Sequence, residues 1–403
     1  LLMSGTYDFT VEATLPGGSS SIATMSIVVN TPPTSMVVSH PIVGEELTEE
    51  FLMVVSAFEE EVDAPLQFQF GFVSGEGSFV PLGTEGASVH KFSSMPFNIT
   101  GAAVQTVDMF GQKSIHLIPT SVTALETGAS PLVKGVPDVI SEEADALFKF
   151  AGGVSMNGGD LSDFFGNMTV LGLTLNKFPV PLNESTGMLA RQDIRQEAVL
   201  LLHDIVEKGC YGSFMNCRNV DVLGAAEALK EIIGLAPYEI SSSAFYAAVD
   251  VARNLRSVIE GRTAGTFTAP YPLCEASDDI VSVVEATARV LNTFVTFIEK
   301  QLYQNEYNDI VSEGRSIFAV LEKMAVAYMS CEAVAEDVEV EITAIPDIFR
   351  MGAMKIASET FSVSSESNIE IGPFTVPASA LVTLPAAGGA RRLLALVSEV
   401  VGV

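Results

Sequence analysis

The sequence predicts a multidomain α+β fold, in which β-sandwich modules precede an α-helical bundle and a further β-sandwich follows it. The main observation is a change in the spacing of apolar residues, which alternate before about residue 121, recur at helical spacing from about 189 to 328, and alternate again afterwards. The second observation is length, because 403 residues exceed one ordinary core and predict two to four domains.

These patterns divide the chain into five segments. In order, we expect the end of a preceding sandwich, a β-sandwich, a linker with a short helix, a helical bundle and an incomplete β-sandwich, at residues 1–31, 32–121, 122–188, 189–335 and 336–403. Because Leu1 is not an initiator methionine, we expect the chain to be part of a longer protein. No apolar run reaches the ~18 residues that a membrane-spanning helix needs, so this segment is not expected to span a membrane.

The β pattern of the first part is clearest around residue 70. Leu66, Phe68, Phe70 and Phe72 alternate with glutamine or glycine, which predicts a strand buried on one face and packed against an opposite sheet. The other strands predicted before residue 122 are Tyr7–Ala13, Ile22–Val29, Ser35–Ser39, Phe51–Ala57, Ser88–Phe92, Ala102–Asp108 and Ser114–Ile118. Their spacing is typical of a β-sandwich.

Helical spacing predicts five amphipathic helices in the bundle, joined by short loops. The first carries apolar positions from Ile194 to Ile205 and stops at Gly209, and the second begins at Asp221 and ends near Gly234. The remaining three are Ser241–Gly261, Asp278–Gln304 and Asn308–Tyr328.

Two further stretches complete the element prediction. In the linker, Ser141–Phe148 has the polar start and early acidic residues of a short helix, and glycines follow it. After Cys331 the alternation returns and predicts strands around Val338–Ile342, Phe361–Val363, Ile369–Ile371, Phe374–Val376 and Leu393–Val400.

The charge of the chain limits its partners. Fifty acidic against 21 basic residues give a formal charge of −29, which repels nucleic-acid phosphates and anionic lipid head groups. We therefore expect no nucleic-acid partner and interpret the acidic residues mainly as a solvated surface. The run Glu59–Asp63 leaves a weak case for Ca²⁺ binding, since no EF-hand loop pattern occurs. No other cofactor or metal is expected.

The four cysteines are candidates for disulfides. Cys210 and Cys217 lie close enough in sequence for a local bridge, which would leave Cys274 with Cys331, although four cysteines permit three pairings. No C-x-x-C motif or nearby histidine completes a zinc signature.

Three sequons, at Asn98, Asn167 and Asn183, are candidates for N-glycosylation. Together with the even number of cysteines they favour an oxidising, extracellular location.

No combination of residues predicts catalysis. The histidines His40, His90, His116 and His203 lack neighbouring acids and nucleophiles in sequence, and the common hydrolase, metalloprotease and P-loop patterns are absent. The glycine-rich stretch Gly152–Gly159 lacks the flanking strand and helix of a phosphate-binding loop, so a flexible loop is the better interpretation. We expect a protein that is not an enzyme.

Three parts of the sequence carry a resemblance to a known family, namely Tyr7–Val11 with Val28–Pro33, Phe51–Phe70, and Val107–Gly111. In these residues the chain resembles the extracellular part of polycystin-like proteins that carry the REJ (receptor for egg jelly) module. In that family the same succession marks the end of one Ig-like unit and the beginning of the next. The family often has a tryptophan where this chain has Phe58.

The helices followed by strands, with Val376–Val382, look like a GAIN domain, a helical-plus-sandwich unit found in polycystins and adhesion receptors. Many GAIN domains end in a self-cleaving His-Leu-Ser/Thr tripeptide. His116-Leu117 is followed by Ile118 and lies in the wrong domain, so no residue here is assigned to autoproteolysis.

The resemblance implies an adhesive or force-bearing segment of a cell-surface protein, with extracellular or membrane proteins as partners and homo- or hetero-assembly open. It also implies proximity to ciliary membrane complexes that contain ion channels. Two alternatives stay open, namely a secreted filament subunit that assembles through strand edges, and an autoproteolytic receptor or enzyme precursor whose active residues lie outside this segment.

Overall fold

The structure of the chain is a computed structural model. The structure describes residues 5–14, 20–29, 36–38, 42–46, 51–58, 66–75, 77–82, 90–93, 95–108, 113–124, 162–177, 185–210, 221–234, 236–263, 277–301, 307–331, 338–345, 349–357, 368–371, 374–377, 382–384 and 392–400. The mixed α+β class is confirmed, since the described residues contain strands at both ends of the chain and six α-helices between them.

The first element is a two-stranded antiparallel ribbon of β1 (Gly5–Thr14) and β2 (Ser20–Val29). The pairing places Phe9 opposite Met25 and Val11 opposite Ala23, so one face of the ribbon is apolar. The other face is mostly polar, apart from Ile22 and Val28, and carries a hydrogen bond between the Thr10 and Thr24 hydroxyls. The ribbon therefore has the two-sided pattern of one sheet in a layered β structure.

Two further sheets form the second β unit. Their strands are β3 Met36–Val38, β4 Ile42–Glu45, β5 Phe51–Phe58, β6 Gln67–Ser74, β7 Phe79–Pro81, β8 His90–Ser93, β9 Ile99–Val107, β10 Lys113–Ile118 and β11 Thr120–Thr123. The first sheet has the order β10-β9-β6-β7 and the second the order β3-β5-β8, with a parallel pair of β4 and β11 beside them. Side chains from β5, β6 and β9 share one buried core, so the two main sheets pack face to face.

Strand β6 is buried more completely than its alternating sequence predicts. Phe68, Phe70 and Phe72 face the shared core as expected, but Gln69 on the opposite face is also only 3% exposed. The expectation of burial on one face is therefore wrong for this strand. On that face the Gln69 side chain accepts a hydrogen bond from Gln105 Nε2 at 3.0 Å, so its polar group is satisfied although it is buried.

The helix α1 (Ser162–Lys177) lies in the segment expected to be a linker. Phe164, Phe165 and Met168 on this helix belong to the core of the bundle, whereas Val170 and Leu173 pack into the core of the β unit. The structure thus differs from the expectation for 122–188, because its last part is a core helix. The short helix expected at 141–148 lies outside the described residues.

The bundle has two layers of three helices. Helices α3 (Val222–Ile233) and α5 (Ser277–Gln301) extend the layer that begins with α1, and α2 (Ser185–Cys210), α4 (Ser242–Thr263) and α6 (Tyr307–Cys331) form the other. All six contribute to one continuous buried core. The five helices that the sequence predicts are present, and α1 is the additional member.

Both ends of α3 match the signals in its sequence. The Asp221 side chain accepts a hydrogen bond from the Gly224 N–H at the first turn, and Gly234 ends the helix with a positive φ of 58°. No helix among the described residues combines the length and apolarity that a membrane crossing requires.

The chain ends in antiparallel strands. One sheet contains β12 (Val338–Ile345), β13 (Phe349–Ala357), β16 (Val382–Leu384) and β17 (Arg392–Val400), in the order β12-β13-β17-β16. A separate pair consists of β14 (Asn368–Ile371) and β15 (Phe374–Pro377). The sheet contacts α5 and α6. The strand expected at 361–363 lies outside the described residues.

A glycine sets the distance between the helices α1 and α3. A Cβ atom at Gly172 would lie 2.5 Å from the carbonyl carbon of Glu231 and 2.7 Å from the Ile232 nitrogen. We expect Gly172→Ala to force the two helix backbones apart and to lower the free energy of unfolding by about 1–3 kcal/mol. Urea unfolding followed by circular dichroism measures this change.

Gly314→Ala is the matched control for this prediction. It also replaces a glycine inside a helix, but its Cβ would meet only the ring of Phe294. A side chain adjusts more easily than a helix backbone, so we expect a smaller loss. An equal loss for both variants would show that the approach of α1 to α3 has no special importance.

Candidate functional site: the junction of sheet and bundle

The best-defined polar site lies where α1 meets the second β unit. Glu46 directly follows β4, and its side chain is fully buried. Its Oε1 atom accepts hydrogen bonds from the Phe97 N–H at 3.0 Å and from Lys177 Nζ at 2.5 Å. Burial of a carboxylate is costly without such partners, so Glu46 depends on the cation that α1 supplies.

Lys177 completes the junction from the last turn of α1. Its ammonium also donates to the Phe97 carbonyl at 2.6 Å and lies 5.5 Å from the centroid of the Phe97 ring. A cation at this end of a helix interacts favourably with the helix dipole. Lys177 therefore links the helix end to two separate parts of the β unit, around Glu46 and around Phe97.

A second buried cluster joins α1, α2 and α3. The guanidinium groups of Arg191 and Arg195, one helical turn apart on α2, each donate to Glu239 at 2.9 Å. Arg191 also donates to the Leu175 carbonyl, and Arg195 to the Ile232 carbonyl. Leu175 and Ile232 lie in the last turns of α1 and α3. Carbonyl groups in the last turn of a helix have no partner within their own helix.

Burial and charge act in opposite directions on Arg195. Burial lowers the pKa of its guanidinium, and the Glu239 carboxylate raises it. Asn176 extends the cluster, since its Oδ1 accepts from Arg195 at 2.9 Å and its Nδ2 donates to the Glu231 carbonyl at 3.0 Å. The ends of two neighbouring helices are thus satisfied by one set of side chains.

A third group of charges connects α3 with α5. Lys230 pairs with Glu227 at 2.6 Å and with Glu285 at 3.0 Å. Burial lowers the pKa of Lys230, but the surrounding carboxylates raise it overall. Burial also lowers the pKa of Arg289, and the same carboxylates oppose that change. This group is an ion-pair network within the helical layer.

Most of the charged atoms in these three groups are paired, but Glu46 Oε2 and the Nε and Nη1 atoms of Arg289 are buried without a hydrogen-bond partner among the described residues. Their charges face one another or face helix ends, and no described group of three or more histidine, cysteine or acidic side chains has the arrangement of a metal site. An open groove of about 600 Å³ runs along α2, and its described lining residues all come from that helix: Asp193, Gln196, Glu197, Leu200, Leu201 and Asp204. The groove is a shallow surface with two leucines among carboxylates.

Two of the four cysteines lie at helix ends. Cys210 and Cys331 are the last residues of α2 and α6, whereas Cys217 and Cys274 lie outside the described residues. Their pairing stays a prediction. The acidic run at 59–63 and the glycine-rich stretch at 152–159 also lie outside the description.

The structure separates the sequons. Asn98 is exposed in the turn before β9, Asn167 is half-buried within α1, and Asn183 lies outside the described residues. The hydroxyl of Thr169, the third residue of the second sequon, is buried and donates to the Phe165 carbonyl at 3.0 Å.

The two histidines with described side chains occupy ordinary structural positions. His116 lies in β10, and burial lowers its pKa. His203 on α2 lies 3.8 Å from Glu207 and 4.0 Å from Asp250, at the limit of an ion pair. His90 is in β8, and His40 is outside the described residues.

Neither protein-family models nor curated proteins give a match to this chain. The function is therefore argued from its own geometry.

The junction residues were missed by the sequence analysis, although one signal was available. Arg191 and Arg195 occupy the same helical face as Ile194 and Ala198, which are buried. A charged residue within an apolar stripe indicates a buried ion pair or a helix cap. Glu46 gave no such signal, because its partner Lys177 is far away in sequence.

The Glu46–Lys177 pair allows a direct test of the junction. Lys177→Met keeps most of the aliphatic stem but leaves Glu46 buried without a cation. We expect the free energy of unfolding to fall by about 3 kcal/mol, measured by urea titration. Lys208→Met removes the exposed Lys208–Asp204 pair as a control, and we expect a change below about 1 kcal/mol. Similar small changes in both variants would contradict the dependence of Glu46 on Lys177.

Glu231 gives a prediction about pH. Burial raises the pKa of the Glu231 carboxyl above its usual range, so the folded state binds its proton more tightly and the contribution of Glu231 to stability falls as the pH rises. We expect Glu231→Gln to be more stable than the wild type at pH 7, with the difference shrinking below pH 4. Thermal unfolding between pH 3 and 8 measures this. Parallel curves for the two proteins would contradict the prediction. The control is Glu197→Gln, which makes the same change at an exposed carboxyl group.

Proposed function

We propose that this chain is a non-enzymatic, extracellular scaffold segment of a polycystin-like cell-surface protein, with an adhesive or force-bearing role. The observation that carries the proposal is the helix α1, whose side chains belong to both the β-unit core and the bundle core. Load applied between the two parts would pass through a packed helix and the buried Glu46–Lys177 pair, where a flexible connection would transmit it poorly.

The finer architecture belongs to the same proposal. The face-to-face sheets β10-β9-β6-β7 and β3-β5-β8 support an Ig-like module of REJ type, and the two-layer bundle followed by antiparallel strands supports a GAIN-like arrangement. Resemblance to that family supports a proposed location near ciliary membrane assemblies. Other extracellular or membrane proteins are the proposed partners.

The ribbon β1–β2 supports a modular chain. Its apolar face leaves Val11 68%, Met25 60% and Phe9 45% exposed, while its other face is mostly polar but carries Ile22, which is 62% exposed. A two-stranded ribbon is marginally stable alone, so we propose that further strands of an Ig-like module cover this face. The second candidate is a secreted filament subunit in which a neighbouring copy covers it. Sedimentation that depends on protein concentration would favour the filament.

The location is tested on the protein isolated from its natural cells. We expect surface labelling of intact cells to reach it, and peptide maps without reductant to show Cys210, Cys217, Cys274 and Cys331 in disulfides. Free thiols throughout and protection from the surface label would overturn the extracellular proposal.

The mechanical role is tested by pulling the chain from its two ends in an optical trap. We expect the second β unit and the adjacent bundle to resist as one unit, with a lower unfolding force in Lys177→Met. The matched Lys208→Met variant should unfold at the wild-type force. Separate unfolding of sheet and bundle at low force, unaffected by Lys177→Met, would overturn the force-bearing role.

A further inference from the structure

Asn98 has the properties of a modification site. Its side chain is exposed, and its amide makes no hydrogen bond to another described residue. Its φ of 66° is in the left-handed region, which asparagine tolerates better than most residues. Thr100, two residues on, is also exposed, and its hydroxyl donates to the Ser74 carbonyl at 2.9 Å, whereas Ile99 between them packs against the core of the β unit.

The other described sequon has the opposite properties. Asn167 is half-buried on α1, takes part in an interaction with its surroundings, and is followed by the buried Thr169. A sugar attached there would lie on a helix that packs against two cores. The two sequons look equivalent in the sequence, but the fold exposes Asn98 and half-buries Asn167.

The residue before Asn98 offers a surface to an attached sugar. Phe97 is 42% exposed, yet its backbone is held on both sides, since its N–H donates to Glu46 and its carbonyl accepts from Lys177. Phe97 directly precedes Asn98, so its partly exposed ring, which Lys177 Nζ approaches to 5.5 Å from the centroid, is the aromatic surface nearest to Asn98 in the sequence. The polarised C–H groups on a sugar face are attracted to the negative face of an aromatic ring.

We propose that Asn98 carries an N-linked glycan whose first sugar lies against the ring of Phe97, on the surface of the sheet–bundle junction. This inference rests on the proposed extracellular function. In the transfer, the Asn98 amide nitrogen forms a bond to the anomeric carbon of a lipid-diphosphate-linked oligosaccharide. The bond from that carbon to the diphosphate breaks, the lipid diphosphate leaves, and the amide loses one proton to a base of the transferase.

The first test is glycopeptide mapping of the full chain, secreted from cultured animal cells behind a cleavable leader. A sequon appended at the C-terminus shows that each molecule has met the transferase. We expect a glycan on Asn98 and none on Asn167. Asn98→Gly tolerates the same φ and should lose one glycan mass, whereas Thr100→Ser keeps the sequon and should keep that mass.

An unmodified Asn98 in a chain whose appended sequon is modified would overturn the proposal. It would leave the extracellular function standing, because that function is judged on the protein from its natural cells. A glycan on Asn167 in the folded, secreted chain would overturn the structural distinction between the two sites.

The second test addresses the ring. We expect Asn98→Gly to lower the melting temperature of the secreted protein more in the wild-type background than in the Phe97→Leu background, because only the former retains the aromatic face. Equal shifts in the two backgrounds would overturn the contact between sugar and ring. Asn183→Gln serves as the comparison for losing a sequon elsewhere.

Discussion

The structure depends on the burial of one helix on nearly all sides. Helix α1 has apolar or small residues around its whole circumference, and such a helix is stable only when neighbours cover every face. The bundle covers one side through α3, and the β unit covers another. This requirement fixes the two parts of the molecule beside each other, because neither alone buries the helix.

A buried helix creates a second requirement at its carboxyl end. Its last carbonyl groups need hydrogen-bond donors, and Leu175 in this last turn is fully buried, so a protein side chain supplies its donor. The Leu175 carbonyl accepts from Arg191, and the same end of the helix is anchored by Arg195 and Lys177. The charges of the two arginines are balanced by Glu239, and the charge of Lys177 by Glu46. Pairs of this kind contribute little net stability compared with apolar residues, but the loss of one member is costly.

The sequence predicted those features that depend on local periodicity. Helix α3 is the clearest case, because Asp221 and Gly234 mark its ends and its apolar spacing is regular. Alternation likewise located β5, β6 and β9. The full burial of β6 was not predictable, since Gln69 is satisfied by Gln105, a residue from another strand. Helix α1 was missed because residues that are apolar on all faces show no amphipathic period.

The junction was not predictable because it is made by residues that are distant in sequence. Glu46 follows a short parallel strand, Phe97 precedes β9 and Lys177 ends α1, and only the folded chain brings them together. Their arrangement has a consequence for Asn98. The contacts that secure the junction also hold the backbone of Phe97 at the surface, so the rigidity that suits a load-bearing segment also fixes the adjacent asparagine in an exposed turn.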